Sequence, residues 1–201
     1  AMFISRAVIK TGLGKRVAVI DAENGKIKKY AKYRIDDTVW DFSVSVLTSY
    51  GPNDYCTRIQ EAQRLGFDII VIDGISQEWA GKNGALETVD QLSGKNAFTS
   101  GWKAVTPMHN SFIESILAVP AHVICTIRSK MGYMLEEVEK NGKTISVPKR
   151  IGMEPIQRNG IEYEFEVLFD ISTDHIIRVA KTICPTIDGA TTVAPKAAFF
   201  Q

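Results

Sequence analysis

Three short polar stretches, each directly after an apolar run, contain the residues best suited to chemistry in this chain. Two of them are acidic: DAENG at 21–25 follows RVAVI, and DGIS at 73–76 follows FDIIVI. The third, RSK at 128–130, is basic and follows AHVICTI. An aspartate holds Mg²⁺, usually through water, a glutamate can orient an attacking water, and cations bind phosphate oxygens. The three stretches together therefore predict a site for a metal–phosphate pair.

Each acidic stretch also has a purely structural interpretation. Asp before Gly is common in turns, so Asp73 is equally consistent with a turn or a helix cap. Glu23 lies two residues before Gly25 and is consistent with an ordinary turn residue. The sequence pattern alone leaves both interpretations open.

A glycine-rich phosphate-binding loop is missing from the 201 residues. Such a loop needs Gly, four residues and then Gly-Lys-Ser/Thr, between a strand and a helix, so that backbone N–H groups surround the phosphates. The nearest string, TGLGKR at 11–16, has the wrong spacing, has Arg16 in place of the hydroxyl residue and precedes a strand. We interpret it as the turn that ends a helix.

The elements that must position these residues alternate between strand and helix. Apolar, β-branched runs predict strands, three of them buried on both faces of a parallel sheet, at 16–20, 43–47, 67–72 and 121–127. Helical spacing and helix-forming residues predict helices at 1–10, 52–65, 85–92 and 105–117. Ligands of such sheets bind at the carboxyl ends of the strands, which is where the three polar stretches lie.

The last third of the chain has a different pattern. Apolar residues and glutamates alternate over 161–169, which predicts a half-exposed strand that pairs with HIIRVA at 175–180 across a turn at 172–174. Asn141-Gly142 lies between two β-type segments and predicts a hairpin. We expect the hairpins to extend one end of the sheet, and the tail from Gly189 to be poorly ordered. The predicted fold class is α/β, a mostly parallel sheet flanked by helices, with C-terminal antiparallel hairpins.

Composition excludes several classes of protein. With 24 Lys+Arg against 23 Asp+Glu the chain is not an obligate polycation, although a local basic groove is compatible with this balance. No apolar run approaches the roughly 18 residues of a membrane span, and there is no secretory signal. The three cysteines, Cys56, Cys125 and Cys184, are too few and scattered for a disulfide framework or a zinc site, so we expect buried thiols in a reducing cytosol. The three histidines have no metal-ligand spacing either.

Several stretches together resemble a known family. They are VIDAENG at 19–25, IVIDGISQEW at 70–79, WKAVTPMHN at 102–110, ICTIRSKMGY at 124–133 and QRNGIEYEF at 157–165. In order and spacing they are similar to the RecA-like P-loop NTPase core, and more closely to the small AAA-type, RecA-like P-loop ATPases of phages and prophages. The resemblance runs from about Gly12 to Gly189. In that family the Walker A loop directly precedes the helix that corresponds to residues 1–10, so we expect it upstream of Ala1.

The resemblance implies roles for four residues of the nucleotide site. Asp73 is similar to the Walker B aspartate that holds Mg²⁺, and Ser76 follows it within the expected cofactor site. Glu23 matches the acidic residue that polarises the attacking water. Thr126 lies where such cores place a polar sensor of the γ-phosphate, which is often a glutamine.

A fifth residue, Lys181, resembles a strand-end lysine that reaches the nucleotide of a neighbouring subunit in RecA-like filaments. Relatives commonly have a basic residue at about position 183, whereas this chain has Ile183. The departure weakens any case for a trans-acting arginine. A solvated strand end is the alternative interpretation of Lys181.

The segment 128–160 raises the question of DNA. It contains seven basic and four acidic residues, a net charge of +3 that leaves −2 for the rest of the chain. RecA-like proteins contact single-stranded DNA through a basic hairpin after the sensor strand, and Tyr133 is suited to stack on a base. The implied DNA contacts are Arg128, Lys130, Tyr133, Lys140, Lys143, Lys149, Arg150 and Arg158. The alternative is a solvated hairpin whose acids and bases pair locally.

The sequence therefore predicts an ATP- and Mg²⁺-dependent hydrolase that acts on single-stranded DNA in phage recombination or annealing. We expect it in the cytoplasm of a bacterial host, with a homo-oligomeric ring or filament as a possible assembly. The expected organisation is a core at 1–189, a basic hairpin inserted at 128–160 and a tail at 190–201. Two alternatives stay open: a non-catalytic, degenerate core that serves as a DNA-binding or oligomeric scaffold, and a helicase-loader-type ATPase.

Overall fold

A four-stranded parallel sheet lies at the centre of the computed structural model, which describes residues 1–31, 34–35, 38–93, 98–140 and 143–193. Its strands are β1 (Val17–Asp21), β4 (Ser43–Val46), β5 (Ile69–Asp73) and β6 (His122–Thr126), in the spatial order β4-β1-β5-β6. All five residues of β1 and the first four of β5 are buried, as expected for strands covered on both faces. The predicted parallel sheet is therefore confirmed.

Helices cover both faces of this sheet. They are α1 (Met2–Lys10), α2 (Pro52–Arg64), α3 (Ser76–Ala80), α4 (Ala85–Ser93) and α5 (Phe98–Ala118). Alternate residues of β5 divide between two cores: Ile70 and Ile72 pack in one cluster with residues of α2 and α5, and Ile69 and Val71 pack in another with residues of α1. This alternation follows from the two-residue period of a strand. The predicted α/β architecture with flanking helices is correct.

The remaining strands form small sheets of their own. A two-stranded sheet joins β2 (Arg34–Ile35) to β3 (Thr38–Val39), and a long hairpin joins β7 (Ser129–Lys140) to β8 (Lys143–Pro155). A three-stranded sheet has the order β11-β10-β9, from Thr191–Val193, Ile176–Thr182 and Val167–Ile171. The expectation that hairpins extend the central sheet was therefore wrong.

The hairpin predicted from Asn141-Gly142 is confirmed in its strands. β7 and β8 are antiparallel, and positions Lys140 and Lys143 pair at the end of the ladder, as a two-residue connection requires. Asn141 and Gly142 themselves lie outside the described residues.

The alternating pattern over 161–169 did not form the predicted strand. A short 3₁₀ helix occupies Ile161–Tyr163, and β9 begins only at Val167. The Lys181 ammonium explains the difference, because it donates to the carbonyl oxygens of Glu162, Tyr163 and Phe165 at 3.2, 2.8 and 2.8 Å and so holds this segment in a turn. The predicted antiparallel pairing with 175–180 is confirmed for β9 and β10.

Two smaller expectations also need correction. Residues 191–193 of the tail form β11 against β10, whereas 194–201 lie outside the described residues. Cys184 is exposed instead of buried, and Cys56 and Cys125 are half-buried. Desolvation raises the pKa of the Cys125 thiol to about 12, whereas hydrogen bonds to Thr186 lower the pKa of Cys184.

None of the helices in the described part of the chain combines the length and the apolar character that crossing a membrane requires.

Candidate functional site

The carboxyl ends of three strands of the central sheet lie side by side, at the same register position. Asp21 of β1 pairs with Asp73 of β5, which in turn pairs with Thr126 of β6. The Thr126 hydroxyl donates to Asp73 Oδ1 at 2.6 Å, and the Ala22 N–H donates to the Asp73 carbonyl, also at 2.6 Å. The structure thus brings together two of the predicted residues, Asp73 and Thr126, through the register of the parallel sheet.

The loop after β1 is folded around the buried carboxylate of Asp21. Its two oxygens accept three backbone N–H groups at 2.6, 3.2 and 3.1 Å, those of Glu23, Gly25 and Ile27. These three hydrogen bonds hold the loop in a tight turn, and Glu23 lies in that turn, two residues beyond the end of β1. Asp21 was missed as a site residue, although an Asp before a Gly-containing loop is the usual sequence signal for such a turn.

Glu23 is held by a cation from the other side of the site. Arg128 Nη2 lies 2.5 Å from Glu23 Oε1 and also contacts Oε2, while Lys26 Nζ is 3.5 Å from Oε2. Glu23 and Arg128 each lie two residues beyond strand ends that are level with Asp73. Two strand spacings separate them, roughly 10 Å, which two long side chains span easily. Arg128 was predicted as a DNA contact, and its contact with Glu23 was not foreseen.

The residues that follow β5 fix the backbone near Asp73. The Tyr55 hydroxyl donates to the carbonyl oxygen of Gly74 at 3.0 Å, and burial raises the pKa of Tyr55 well above its usual range. A Cβ at Gly74 would lie 3.0 Å from Thr126 Oγ1, so glycine allows the close approach of β5 and β6. The hydroxyl of Ser76, buried at 4% exposure, accepts the Arg128 N–H at 2.9 Å. Ser76 therefore lies at the site, where its observed contact is with the protein backbone.

A buried polar network lies directly behind these residues. Glu78 is fully buried; its Oε1 is 3.0 Å from His109 Nδ1, and its Oε2 accepts from Gln157 Nε2 at 2.9 Å. Gln157 also donates to the Ile75 carbonyl at 3.0 Å. Partners on both oxygens offset the cost of burying this carboxyl group. His109 therefore has a structural role, as a partner of this buried carboxyl group.

Trp79 is a packing residue. Its ring centroid is 5.6 Å from that of Trp102 and 5.4 Å from that of His109. These ring contacts make Trp79 part of the packing between α3 and α5.

The residues predicted to contact DNA have different surroundings. Lys149 Nζ pairs with Glu136 Oε1 at 2.8 Å, and Arg158 Nη1 donates to Asn110 Oδ1 at 3.2 Å. Lys130 and Tyr133 are exposed on β7, Tyr133 at 55%. The side chains of three more, Lys140, Lys143 and Arg150, lie outside what the structure describes. Local pairing thus accounts for part of the basic hairpin but not for Lys130 and Tyr133.

Lys181 is not brought to the site. Its ammonium contacts the three carbonyl oxygens of the 162–165 turn and lies 5.7 Å from the centre of the Tyr163 ring. These contacts give Lys181 a structural role within its own subunit.

The start of α1 faces the same edge of the sheet. Ala1, at the start of this helix, lies near the Asp73 carboxylate. The first turn of a helix has unpaired N–H groups and the positive end of the helix dipole. Such a helix start beside the Asp73 carboxylate suits a phosphate group that is bound together with a cation.

The donor set fits Mg²⁺ bound mainly by water and phosphate. Among the described residues, no group of three or more His, Cys, Asp or Glu side chains is arranged to hold a metal. Asp73 offers one half-buried carboxylate whose Oδ1 is oriented by Thr126. One or two carboxylates together with substrate phosphates are the usual ligands of Mg²⁺ in phosphoryl-transfer sites.

Comparison with known protein families identifies a family for this chain. A family model described as an AAA domain matches residues 2–193, nearly the whole length. A search among curated proteins finds no match.

Proposed function

Because the chain belongs to the AAA domain family of P-loop ATPases, we propose that it hydrolyses ATP with Mg²⁺ and couples this hydrolysis to the binding of single-stranded DNA. The function of that family is of the nucleotide-binding, ATPase type. The observation that carries the proposal is the convergence of Asp73, Thr126 and Glu23 at one edge of the parallel sheet. That edge is where ligands of such sheets bind.

Asp73 and Thr126 act together in the proposed site. Asp73 holds Mg²⁺, and Thr126 fixes the orientation of its carboxylate through the 2.6 Å hydrogen bond to Oδ1. When bound, Mg²⁺ neutralises charge on the β- and γ-phosphate oxygens. The start of α1 adds its positive dipole end on the same side.

Glu23 orients the attacking water. One carboxylate oxygen accepts a hydrogen bond from the water and takes its proton. The water oxygen forms a bond to the γ-phosphorus as the bond from this phosphorus to the leaving oxygen of ADP breaks. Asp21 fixes the loop, so that Glu23 projects over the strand ends. Positioning of this kind is the main contribution that a protein makes to phosphoryl transfer.

Single-stranded DNA is the proposed second ligand, bound along β7 and β8. The net charge of +3 over 128–160 supports phosphate contacts, and the exposed Lys130 and Tyr133 are suited to a phosphate and a base. The hairpin also starts and ends against the segment that follows Asp73, through Arg128 and Gln157. The resemblance to phage and prophage ATPases supports a role in phage recombination or annealing inside a bacterial host, in a ring or filament of identical subunits.

Hydrolysis is tested with Glu23→Gln in the full-length protein, with Glu61→Gln on α2 as the matched control. We expect Glu23→Gln to lower kcat by about 10²- to 10⁴-fold, the range for loss of a catalytic base, while ATP binding is retained. Steady-state phosphate release and nucleotide titration measure the two effects. A Glu23→Gln protein that hydrolyses ATP at the parent rate removes Glu23 from this role, and a full-length protein that binds no ATP favours the scaffold alternative.

DNA binding is tested by fluorescence anisotropy of a labelled oligothymidylate at several salt concentrations. We expect the logarithm of the affinity to fall linearly with the logarithm of salt, with a slope of about 0.7 for each neutralised phosphate. Lys130→Ala should lower that slope by about one phosphate, roughly 0.7, whereas Lys103→Ala on α5 should not. An affinity that does not change with salt contradicts the proposed binding surface.

A further inference from the structure

The ion pair between Arg128 and Glu23 joins the base of the hairpin to the proposed water-orienting residue. The two are 105 positions apart in the chain, and Nη2 of Arg128 contacts both carboxylate oxygens of Glu23. The Glu23 side chain is 15% exposed and that of Arg128 54% exposed. A solvent-accessible cation thus holds a nearly buried carboxylate.

The backbone of Arg128 is fixed independently of this pair. Its N–H donates to Ser76 Oγ at 2.9 Å, and its carbonyl accepts the Ile156 N–H at 2.7 Å. Only the side chain therefore needs to move for the guanidinium to change partners. The start of the hairpin stays in place next to the segment that follows β5.

The contact conflicts with the proposed role of Glu23. A carboxylate that accepts from a guanidinium through both oxygens presents fewer free lone pairs to an attacking water. A guanidinium also binds a phosphate with the same forked geometry as a carboxylate. A DNA phosphate at the base of the hairpin would therefore compete with Glu23 for Arg128.

Arg128 differs in this respect from its basic neighbours. Lys149 pairs with Glu136 within the hairpin, and Arg158 donates to Asn110 on α5. Lys26 also approaches Glu23, at 3.5 Å, but its side chain is 67% exposed and its contact is local. Among the basic side chains of the hairpin segment that the structure describes, Arg128 is the one whose partner belongs to the nucleotide site.

We propose that Arg128 is a positioning residue that holds Glu23 away from the attacking water until a single-stranded DNA phosphate takes its guanidinium. This inference rests on the proposed function and specifies how DNA regulates the same site. It makes DNA-stimulated hydrolysis a consequence of one side chain that exchanges partners.

The first test compares ATP hydrolysis by the full-length protein and its Arg128→Ala variant, with and without oligothymidylate. An exposed ion pair contributes up to about 1 kcal/mol, so we expect the rate without DNA to rise about twofold to fivefold and the stimulation by DNA to fall by the same factor. The KM for ATP should stay unchanged, and Arg128→Lys should be intermediate. Arg64→Ala, at the far end of α2, is the matched control.

The second test needs no hydrolysis, because coupling between sites is reciprocal. Removing the carboxylate frees Arg128, so Glu23→Gln should bind oligothymidylate about twofold to fivefold more tightly than the parent, and Glu61→Gln should not. Anisotropy at low salt measures this effect.

The outcomes separate the two proposals. If Glu23→Gln stops hydrolysis but binds DNA like the parent, and Arg128→Ala does not raise the rate without DNA, the role of Arg128 is overturned and the proposed ATPase stands. If Glu23→Gln binds DNA more tightly yet hydrolyses ATP normally, competition for Arg128 is supported and the catalytic role of Glu23 fails.

Discussion

The loop that carries Glu23 owes its shape to one buried carboxylate, that of Asp21. Asp21 is fully buried, and its two oxygens accept three backbone N–H groups. A buried donor that loses its acceptor costs more than the hydrogen bond itself contributes, since the group was stripped of water on folding. At the scale of residues, the geometry of Glu23 is therefore set by a neighbour that does not itself face the ligand.

Asp21→Ala should lower the free energy of unfolding by about 2 to 4 kcal/mol, because three N–H groups lose a charged acceptor. Asp21→Asn should cost less, since one oxygen remains to accept. Urea unfolding monitored by circular dichroism measures the difference. Asp170→Ala, an exposed aspartate on β9, is the control, and a midpoint for Asp21→Ala as high as that of the control would contradict the role of Asp21.

At the scale of elements, the hairpin is attached to the core at the base of its ladder, next to both of its strands. The N–H of Arg128, just before β7, reaches Ser76, and the side chain of Gln157, just after β8, reaches Ile75 and Glu78. Both attachments fall on the short segment that follows Asp73. The described residues of β7 and β8 pair with each other in a separate two-stranded sheet.

Gln157→Ala should destabilise the protein by about 2 to 3 kcal/mol, because the buried Glu78 loses one of its two partners. It should also raise amide hydrogen exchange at Arg128 and Ile156, where the hairpin leaves the core. Chemical unfolding and exchange mass spectrometry measure these effects. Asn159→Ala changes an exposed amide on the same loop, and equal effects of the two variants would show that the network does not anchor the hairpin.

The sequence predicted those elements whose pattern depends on burial alone. β1 and β5 were found because strands in the middle of a parallel sheet are apolar on both faces. β6 was found from a similar apolar run, although it lies at the edge of the sheet and is only half-buried. The segment 161–169 has the alternation of a half-exposed strand, yet a tertiary contact from Lys181 turns it into a 3₁₀ helix. The alternation within 161–169 does not reveal this contact, because Lys181 lies outside the segment, on β10.

The residues of the candidate site also divide into those that could be predicted from the sequence and those that could not. Asp73 was predictable, because strand ends that follow apolar runs meet at one edge. Thr126 was predicted only from the resemblance to RecA-like cores. The contact of Arg128 with Glu23 depends on the register of three strands, and the roles of Asp21 and Tyr55 depend on which backbone groups are left to satisfy. Neither kind of information is contained in local spacing.

At the scale of the whole molecule, Asp68 connects the start of β1 to the start of β5. Its Oδ2 accepts the N–H groups of Lys15 and Arg16 at 2.9 and 3.0 Å, and these hydrogen bonds lower the pKa of Asp68. The amino ends of β1 and β5, opposite the site, are thus joined by a half-buried carboxylate whose hydrogen bonds are stronger when it is ionised.

The stability of the protein should therefore decline in acid. The pKa of Asp68 is lower in the folded state than the value of about 3.9 in the unfolded chain, so its contribution is complete above that value and is lost as the pH falls through the folded-state pKa. Asp68→Asn should lower the Tm at pH 6, and the difference from the parent should shrink at pH 3. Thermal unfolding at both pH values, with Asp188→Asn as the control, decides this; a difference of the same size at pH 6 and pH 3 would contradict it.

The length of the hairpin has a mechanical consequence. β7 contains 12 residues and β8 contains 13, which at about 3.3 Å per residue makes an arm about 40 Å long. The arm is attached at its base on either side of the segment that follows Asp73. A tilt of about 5° at that base would move the tip by about 3.5 Å. A rotation too small to disturb the core would therefore be enlarged into a displacement of several ångströms at the far end of the hairpin.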